Sequence, residues 1–199
     1  MELADESGLS QGAEEGGSFA VRGEALAELG DLDGGLRQIE KGVRLAERGG
    51  DRAILGWTYL CLTKVLHSKG DLARAEAIVQ KVGRVARESK YPLWITNQME
   101  AWQARLWLVE GRVEAACDWA RKHGLMVAGD PHLSADPNYF RLIEVIILAR
   151  IMIAEGHLDH AVRVLQQLLE VAEAGDRMTR VIEILLLQAL ALQAGGRAT

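Results

Sequence analysis

Residues 66–86 read LHSKGDLARAEAIVQKVGRVA, in which Gly-Asp-Leu stands between two stretches of helical periodicity. A glycine ends a helix well because it adopts the left-handed backbone conformation, and an aspartate after it can cap the next helix. The same glycine-centred motif recurs as LGDLDGGL (29–36), EGRVEAAC (110–117) and EGHLDHAV (155–162), and AGGRAT ends the sequence. The anchoring glycines are Gly30, Gly70, Gly111, Gly156 and Gly195, at intervals of 40, 41, 45 and 39 residues. Periods of this size indicate stacked supersecondary units.

Small and apolar residues recur at fixed distances from these glycines. Small residues stand seven before and five after the anchor, and apolar residues stand two and nine after it. Seven before the anchor are Gly23, Thr63, Ala104 and Ala149, and five after it are Gly35, Ala75, Ala116 and Ala161. Spacings of three and four place side chains on one helical stripe, so each unit reads as two helices that cross closely at small residues. The pattern predicts tandem αα-hairpins.

The predicted fold is all-α: a right-handed superhelix of tandem helix hairpins, a tetratricopeptide-like solenoid with repeats of about 40 residues. No alternating β-branched run is bounded by hairpin turns. The predicted helices are 18–29, 33–48, 52–69, 72–88, 93–110, 113–123, 137–155, 158–175 and 177–194. The acidic, glycine-rich residues 1–17 predict a flexible linker, and 18–199 the repeat domain. Because a Gly-Gly follows the ninth helix where a tenth should open, we expect a fragment of a longer chain.

Composition narrows the function classes. With 49% apolar residues the chain can bury a core, and a net charge of −5 gives it no positive field for nucleic acid. Cys61 and Cys117 form no C-x-x-C pair, which is typical of a reducing compartment, and the cytoplasm is the expected location. The longest apolar stretches are interrupted by polar residues and predict no membrane span.

Three stretches resemble a known family: ALAELGDLDGGLRQIEKGVRLAERGGD (25–51), VLHSKGDLARAEAIVQKVGRVARE (65–88) and WQARLWLVEGRVEAACDWARKHGL (102–125). They are similar to the tetratricopeptide-like helical-repeat region of the large LuxR-type transcriptional activators typified by MalT. The resemblance implies a sensor and dimerisation or effector-binding region that lies between an NTPase domain and a DNA-binding helix-turn-helix. The sequence contains neither a G-x-x-x-x-G-K-[ST] phosphate loop nor a basic helix-turn-helix, so those domains would lie outside it.

Catalytic and metal-binding patterns are weak. GLSQG (8–12) matches the G-x-S-x-G nucleophile elbow in its letters but lacks the strand and helix that the elbow needs. His157 and His160 are too few for a zinc site, and His132 stands alone in the loop 124–137. We therefore predict no catalytic residues, no metal and no cofactor, and no enzyme.

The predicted binding site lies on the first helix of each hairpin, which faces the concave groove in tetratricopeptide superhelices. Six residues before successive anchors stand Lys64, Arg105 and Arg150, with Glu24 and Ala189 at the ends of the series. The same face carries Trp57, His67 and Gln98. These six side chains predict a groove for an anionic effector or an acidic peptide, since Arg binds carboxylate and phosphate with two donors. The other interpretation is that the charges are solvated or paired within the protein.

The predicted function is thus a non-catalytic sensor module of a LuxR-type regulator that binds a small-molecule effector or a protein or peptide partner. The alternative is a general tetratricopeptide scaffold for protein–protein interaction. A homodimer through the apolar last helix, VIEILLLQALAL (181–192), also remains open. We expect no direct contact with nucleic acid or membrane from this segment.

Overall fold

The computed structural model describes residues 2–88, 91–126 and 139–196, and every regular element in these ranges is an α-helix. The elements are α1 (Glu2–Glu28), α2 (Leu32–Gly49), α3 (Arg52–Ser68), α4 (Leu72–Glu88), α5 (Leu93–Val109), α6 (Val113–Lys122), α7 (Tyr139–Ala154), α8 (Leu158–Ala174) and α9 (Met178–Ala194). The all-α helical-repeat prediction is confirmed. The boundaries of α2–α6, α8 and α9 match those predicted within one residue. None of the described helices combines the length and the hydropathy needed to cross a bilayer.

Helix α1 contradicts the prediction of a flexible linker over residues 1–17. This helix runs without interruption from Glu2 to Glu28, so the predicted start at residue 18 is wrong. Ala13 and Gly16 are buried against α2, where Gly49, Gly42 and Ala46 lie. The sequence signal was weak because these contacts are made by small residues and not by a stripe of large apolar side chains.

The turn between the two helices of a hairpin repeats with the same geometry. Gly30, Gly70, Gly111 and Gly156 have φ between 75° and 94°, which confirms the left-handed anchor. In the last hairpin the anchor is Gly196, with φ 68°, whereas Gly195 has φ −79°. The prediction that Gly195 is the anchor was therefore wrong by one residue. The corrected final interval is 40 residues, and Ala189 becomes the small crossing residue of α9.

The chain divides into two compact units, residues 1–103 and 104–199, and α5 spans their boundary. In the first unit α1 to α4 pack in chain order, and α1 also packs on α3. A Cβ placed on Gly23 would lie 2.6 Å from the carbonyl oxygen of Gly35, and a Cβ on Gly35 would lie 2.6 Å from that of Gly23. The two helices thus cross at the backbone-to-backbone separation that the small-residue pattern predicts.

In the second unit α7 is the central helix, packed by α6, α8 and α9. Most of α7 is apolar on every face, and Leu142 and Ile146 are at most 1% exposed. Counted back from their anchors, Ile182 and Leu186 of α9 occupy the positions that Leu142 and Ile146 occupy in α7. They are 57% and 61% exposed. The stripe of α9 that would face a second helix of its own hairpin is open to solvent.

Candidate functional site

An ion pair joins neighbouring first helices in the first unit. Lys64 Nζ on α3 donates to Glu24 Oε1 on α1 over 2.6 Å, and the Cys61 thiol lies 3.4 Å from Glu24 Oε2. Burial raises the pKa of the Cys61 thiol, and the charge on Glu24 raises it further, so the thiol keeps its proton. Lys64 Nζ also lies 5.2 Å from the ring centroid of Trp57, a cation–π distance. Because Glu24 and Lys64 share one offset from their anchors, this pair connects equivalent points of successive repeats.

The other predicted residues of the first unit lie in packed surroundings. Gln98 is only 2% exposed, so its amide is covered by protein. The His67 ring meets the Trp102 ring edge-on at 5.4 Å, and the rings of Trp57 and Trp94 are 6.1 Å apart. Trp102 belongs to the core, since it is 6% exposed. Within the predicted set of this unit, the structure brings Trp57 and Lys64 into contact.

In the second unit, three arginines converge on one carboxylate. Glu183 Oε1 on α9 accepts from Arg105 on α5 at 2.7 Å and from Arg150 on α7 at 2.9 Å. Glu183 Oε2 accepts from Arg180 at 2.7 Å, one helical turn earlier on α9. We call these four residues the arginine cluster. Their side chains are 14% to 28% exposed, so the cluster is largely buried but reaches solvent.

The charges of the arginine cluster determine the ionisation of Glu183. Burial of Glu183 alone would raise its pKa, but Arg105, Arg180 and Arg150 together lower the pKa of this carboxyl to about 2. Burial lowers the pKa of Arg105 because it disfavours the charged form, and the attraction of Glu183 opposes this lowering. Glu183 is therefore held in its ionised form by charge-assisted hydrogen bonds from three arginines.

The weak catalytic and metal patterns gain no support from the described residues. The GLSQG segment lies inside α1, without the strand–turn–helix that a nucleophile elbow requires. His157 is the N-cap residue of α8, and no three His, Cys, Asp or Glu residues come together as a metal site within the described ranges. His132 lies outside the described residues. Cys61 and Cys117 are both buried, free thiols.

Comparison with known protein families matches the chain to the MalT-like TPR region over residues 1–199. The chain belongs to the MalT-like TPR region family. No curated protein and no solved structure matches the chain significantly. The resemblance to helical repeats of MalT-type regulators is thereby confirmed. TPR-like repeat regions of this kind are typically non-catalytic and bind proteins or ligands.

Sequence reasoning missed Glu183 and Arg180 in this MalT-like TPR region. Both are distant in sequence from Arg105 and Arg150, and the Gly195 anchor gave α9 the wrong register. Counted from Gly196, Glu183 stands thirteen residues before the anchor, at the offset that Trp57 and Gln98 occupy in earlier repeats. That offset was the available signal, because it belongs to the face assigned to binding.

Proposed function

We propose that this MalT-like TPR region is the sensor module of a LuxR-type transcriptional regulator, acting in the cytoplasm and without catalysis of its own. In this proposal it binds an effector or partner and relays binding to NTPase and DNA-binding domains outside this sequence. The family match over residues 1–199 carries the proposal. The alternative of a general scaffold for a peptide partner would show no such domains in the full-length gene.

The relay in this proposal uses charged contacts between first helices. Lys64 joins α3 to α1, and Glu183 joins α9 to both α5 and α7. A ligand that competes for one of these charges changes how neighbouring repeats contact each other. Since a ligand shifts an equilibrium only through different affinities for its two states, the exchange of an internal partner for the ligand supplies that difference.

The proposed ligand contacts remain the six side chains taken from the sequence, now divided between the two units. Trp57, Lys64, His67 and Gln98 belong to the first unit, and Arg105 and Arg150 to the second. Trp57 and Lys64 offer an aromatic face beside a cation, whereas Arg105 and Arg150 offer guanidinium donors.

A thermal-shift screen tests the sensor proposal. The purified chain is heated with a panel of anionic metabolites, sugars and nucleotides, because a ligand that binds only the folded state raises its melting temperature. We expect at least one saturable hit that weakens in Lys64→Met or in Arg105→Met. A panel without hits, together with a full-length gene that encodes neither flanking domain, would favour the scaffold.

Self-association through α9 is a second candidate role, favoured by the exposure of Ile182 and Leu186. The proposed occupant of this face is α9 of a second copy, which would offer the same apolar stripe with Ala189 at the crossing. Light scattering of the wild-type chain and of Leu186→Lys tests it. A monomer in both samples would remove this role.

A further inference from the structure

We propose that the exposed face of α2 is a docking surface for an acidic helix of a partner protein. Four exposed cations form this surface, and we call them the basic stripe: Arg37, Lys41, Arg44 and Arg48. They belong to the first unit, and none of the six proposed ligand contacts lies on α2. The inference therefore goes beyond the sensor site and concerns a second binding surface.

The spacing of the basic stripe is the first argument. Its members follow one another at intervals of four, three and four residues, so they lie along one side of the helix. At a rise of about 1.5 Å per residue the stripe is about 16 Å long. The intervals read the same in both directions. A partner helix with carboxylates at this spacing therefore meets all four cations in a parallel or an antiparallel orientation.

The acidic side chains of α2 bind cations of the helices that follow, and this is the second argument. The pairs are Asp33 with Lys69, Glu40 with Arg74 at 2.8 Å, and Glu47 with Lys81 at 2.8 Å. Arg37 helps to lower the pKa of Asp33, but Lys69 is the main cause. Among the described residues, no carboxylate forms an ion pair with the basic stripe. The negative charges of α2 are thus used within the unit, whereas its positive charges face solvent.

Two contacts order the basic stripe without neutralising it. Lys41 Nζ lies 4.0 Å from the ring centroid of Phe19 on α1, a cation–π contact. Arg48 Nε donates to the carbonyl oxygen of Arg44 at 3.2 Å, which leaves the two terminal amino groups of Arg48 for a carboxylate. Because each contact restricts a long side chain, less conformational entropy is lost when a partner binds.

The surroundings of the basic stripe favour a protein helix over a nucleic acid or a membrane. A phosphate backbone favours a broad positive field, but the chain has a net charge of −5 and carries Asp33, Glu40 and Glu47 on the adjoining side of α2. Helices that bind membranes insert apolar side chains beside their cations, and α2 has no exposed large apolar side chain. A single row of cations fits a single row of carboxylates.

Peptide binding tests the docking surface. The probe is a synthetic alanine-rich helix with four glutamates at intervals of four, three and four residues. Its control is an isomer whose glutamates point to different sides of the helix. Fluorescence anisotropy with the full chain in about 50 mM NaCl should show saturable binding of the matched helix, at least about fivefold tighter than that of the isomer. Because the contacts are exposed ion pairs, about 300 mM NaCl should weaken binding at least about tenfold.

Two double variants locate the binding. Arg44→Gln with Arg48→Gln removes half of the stripe's charge and should weaken binding of the matched helix at least about tenfold. The matched control is Arg84→Gln with Arg163→Gln, which removes two exposed cations from α4 and α8 and should change the affinity less than about twofold. All four positions are exposed and glutamine is a good helix former, so both variants should keep the fold, which circular dichroism checks.

Equal affinity for the matched helix and its isomer would reduce the basic stripe to a solvated face and overturn the docking surface, as would equal losses in the two double variants. Tighter binding of a random-sequence DNA duplex, or of phosphatidylserine vesicles, than of the matched helix would overturn the assignment to a protein partner. These outcomes leave the sensor proposal to its own test, because Lys64→Met and Arg105→Met do not alter α2.

Discussion

Replacing Glu183 by glutamine removes the negative charge that Arg105, Arg150 and Arg180 share. Glutamine has the shape of a protonated glutamate, so the variant reports what the ionised carboxylate contributes to the free energy of unfolding. The folded-state pKa of about 2, against an ordinary value of 4.5, corresponds to a contribution of about 3 kcal/mol at pH 7. The side chain of Glu183 is 14% exposed, so screening by solvent reduces this stabilisation only slightly.

The pH dependence has a definite sign. Because folding lowers the pKa of Glu183, its stabilisation is complete above the unfolded-state pKa and is lost as the pH falls from about 4.5 toward 2. Urea unfolding should therefore show that the free energy of unfolding of the wild type exceeds that of Glu183→Gln at pH 7. This difference should shrink by about 1 kcal/mol at pH 3.5. The exposed control Glu173→Gln should show almost no gap at either pH. A gap for Glu183→Gln of equal size at both pH values would refute the electrostatic reasoning.

Five further substitutions test the packing and the helix cap. Gly23→Ala should lower the free energy of unfolding by about 1–3 kcal/mol, since its Cβ would meet a backbone oxygen at 2.6 Å, whereas Gly83→Ala, with open space around it, should raise it by about 0.5–1 kcal/mol. Asp51→Ala should cost about 1 kcal/mol in the same urea assay, because its side chain caps α3 through the Ile54 amide at 2.9 Å. Ile146→Ala should lower the free energy of unfolding by about 2–5 kcal/mol, because Ile146 is buried. Leu186→Ala should lower it by less than about 0.5 kcal/mol at low protein concentration, because Leu186 is exposed. Equal effects of the two substitutions would contradict the assigned register of α9.

The sequence predicted the helices because their ends depend on single residues. A left-handed turn favours glycine strongly, so Gly30, Gly70, Gly111 and Gly156 fixed four hairpins. Where two glycines are adjacent, at Gly195 and Gly196, the sequence does not determine which of them adopts the positive φ. The ambiguity of one residue was enough to assign α9 the wrong face.

The candidate site was predictable only in part. The offset pattern identified Lys64, Arg105 and Arg150 as one series, and their shared face follows from helical periodicity. The carboxylate that Arg105 and Arg150 share was harder to predict, because Glu183 is 33 residues from Arg150 and 78 from Arg105, and no short-range rule connects residues so far apart. Whether a cation faces solvent or an internal carboxylate depends on the packing of whole helices.

The glycine-to-glycine crossing of α1 and α2 has a consequence for the order in which the protein opens. The two helices contain nine of the 21 glycines, whereas α7 contains none. Each helical glycine costs about 0.5–1 kcal/mol relative to alanine, and the crossing buries little side-chain area in return. Amide hydrogen exchange should therefore be fast along α1 and α2 and slow along α7, so that the first hairpin is the part of the chain that frays while the rest stays folded.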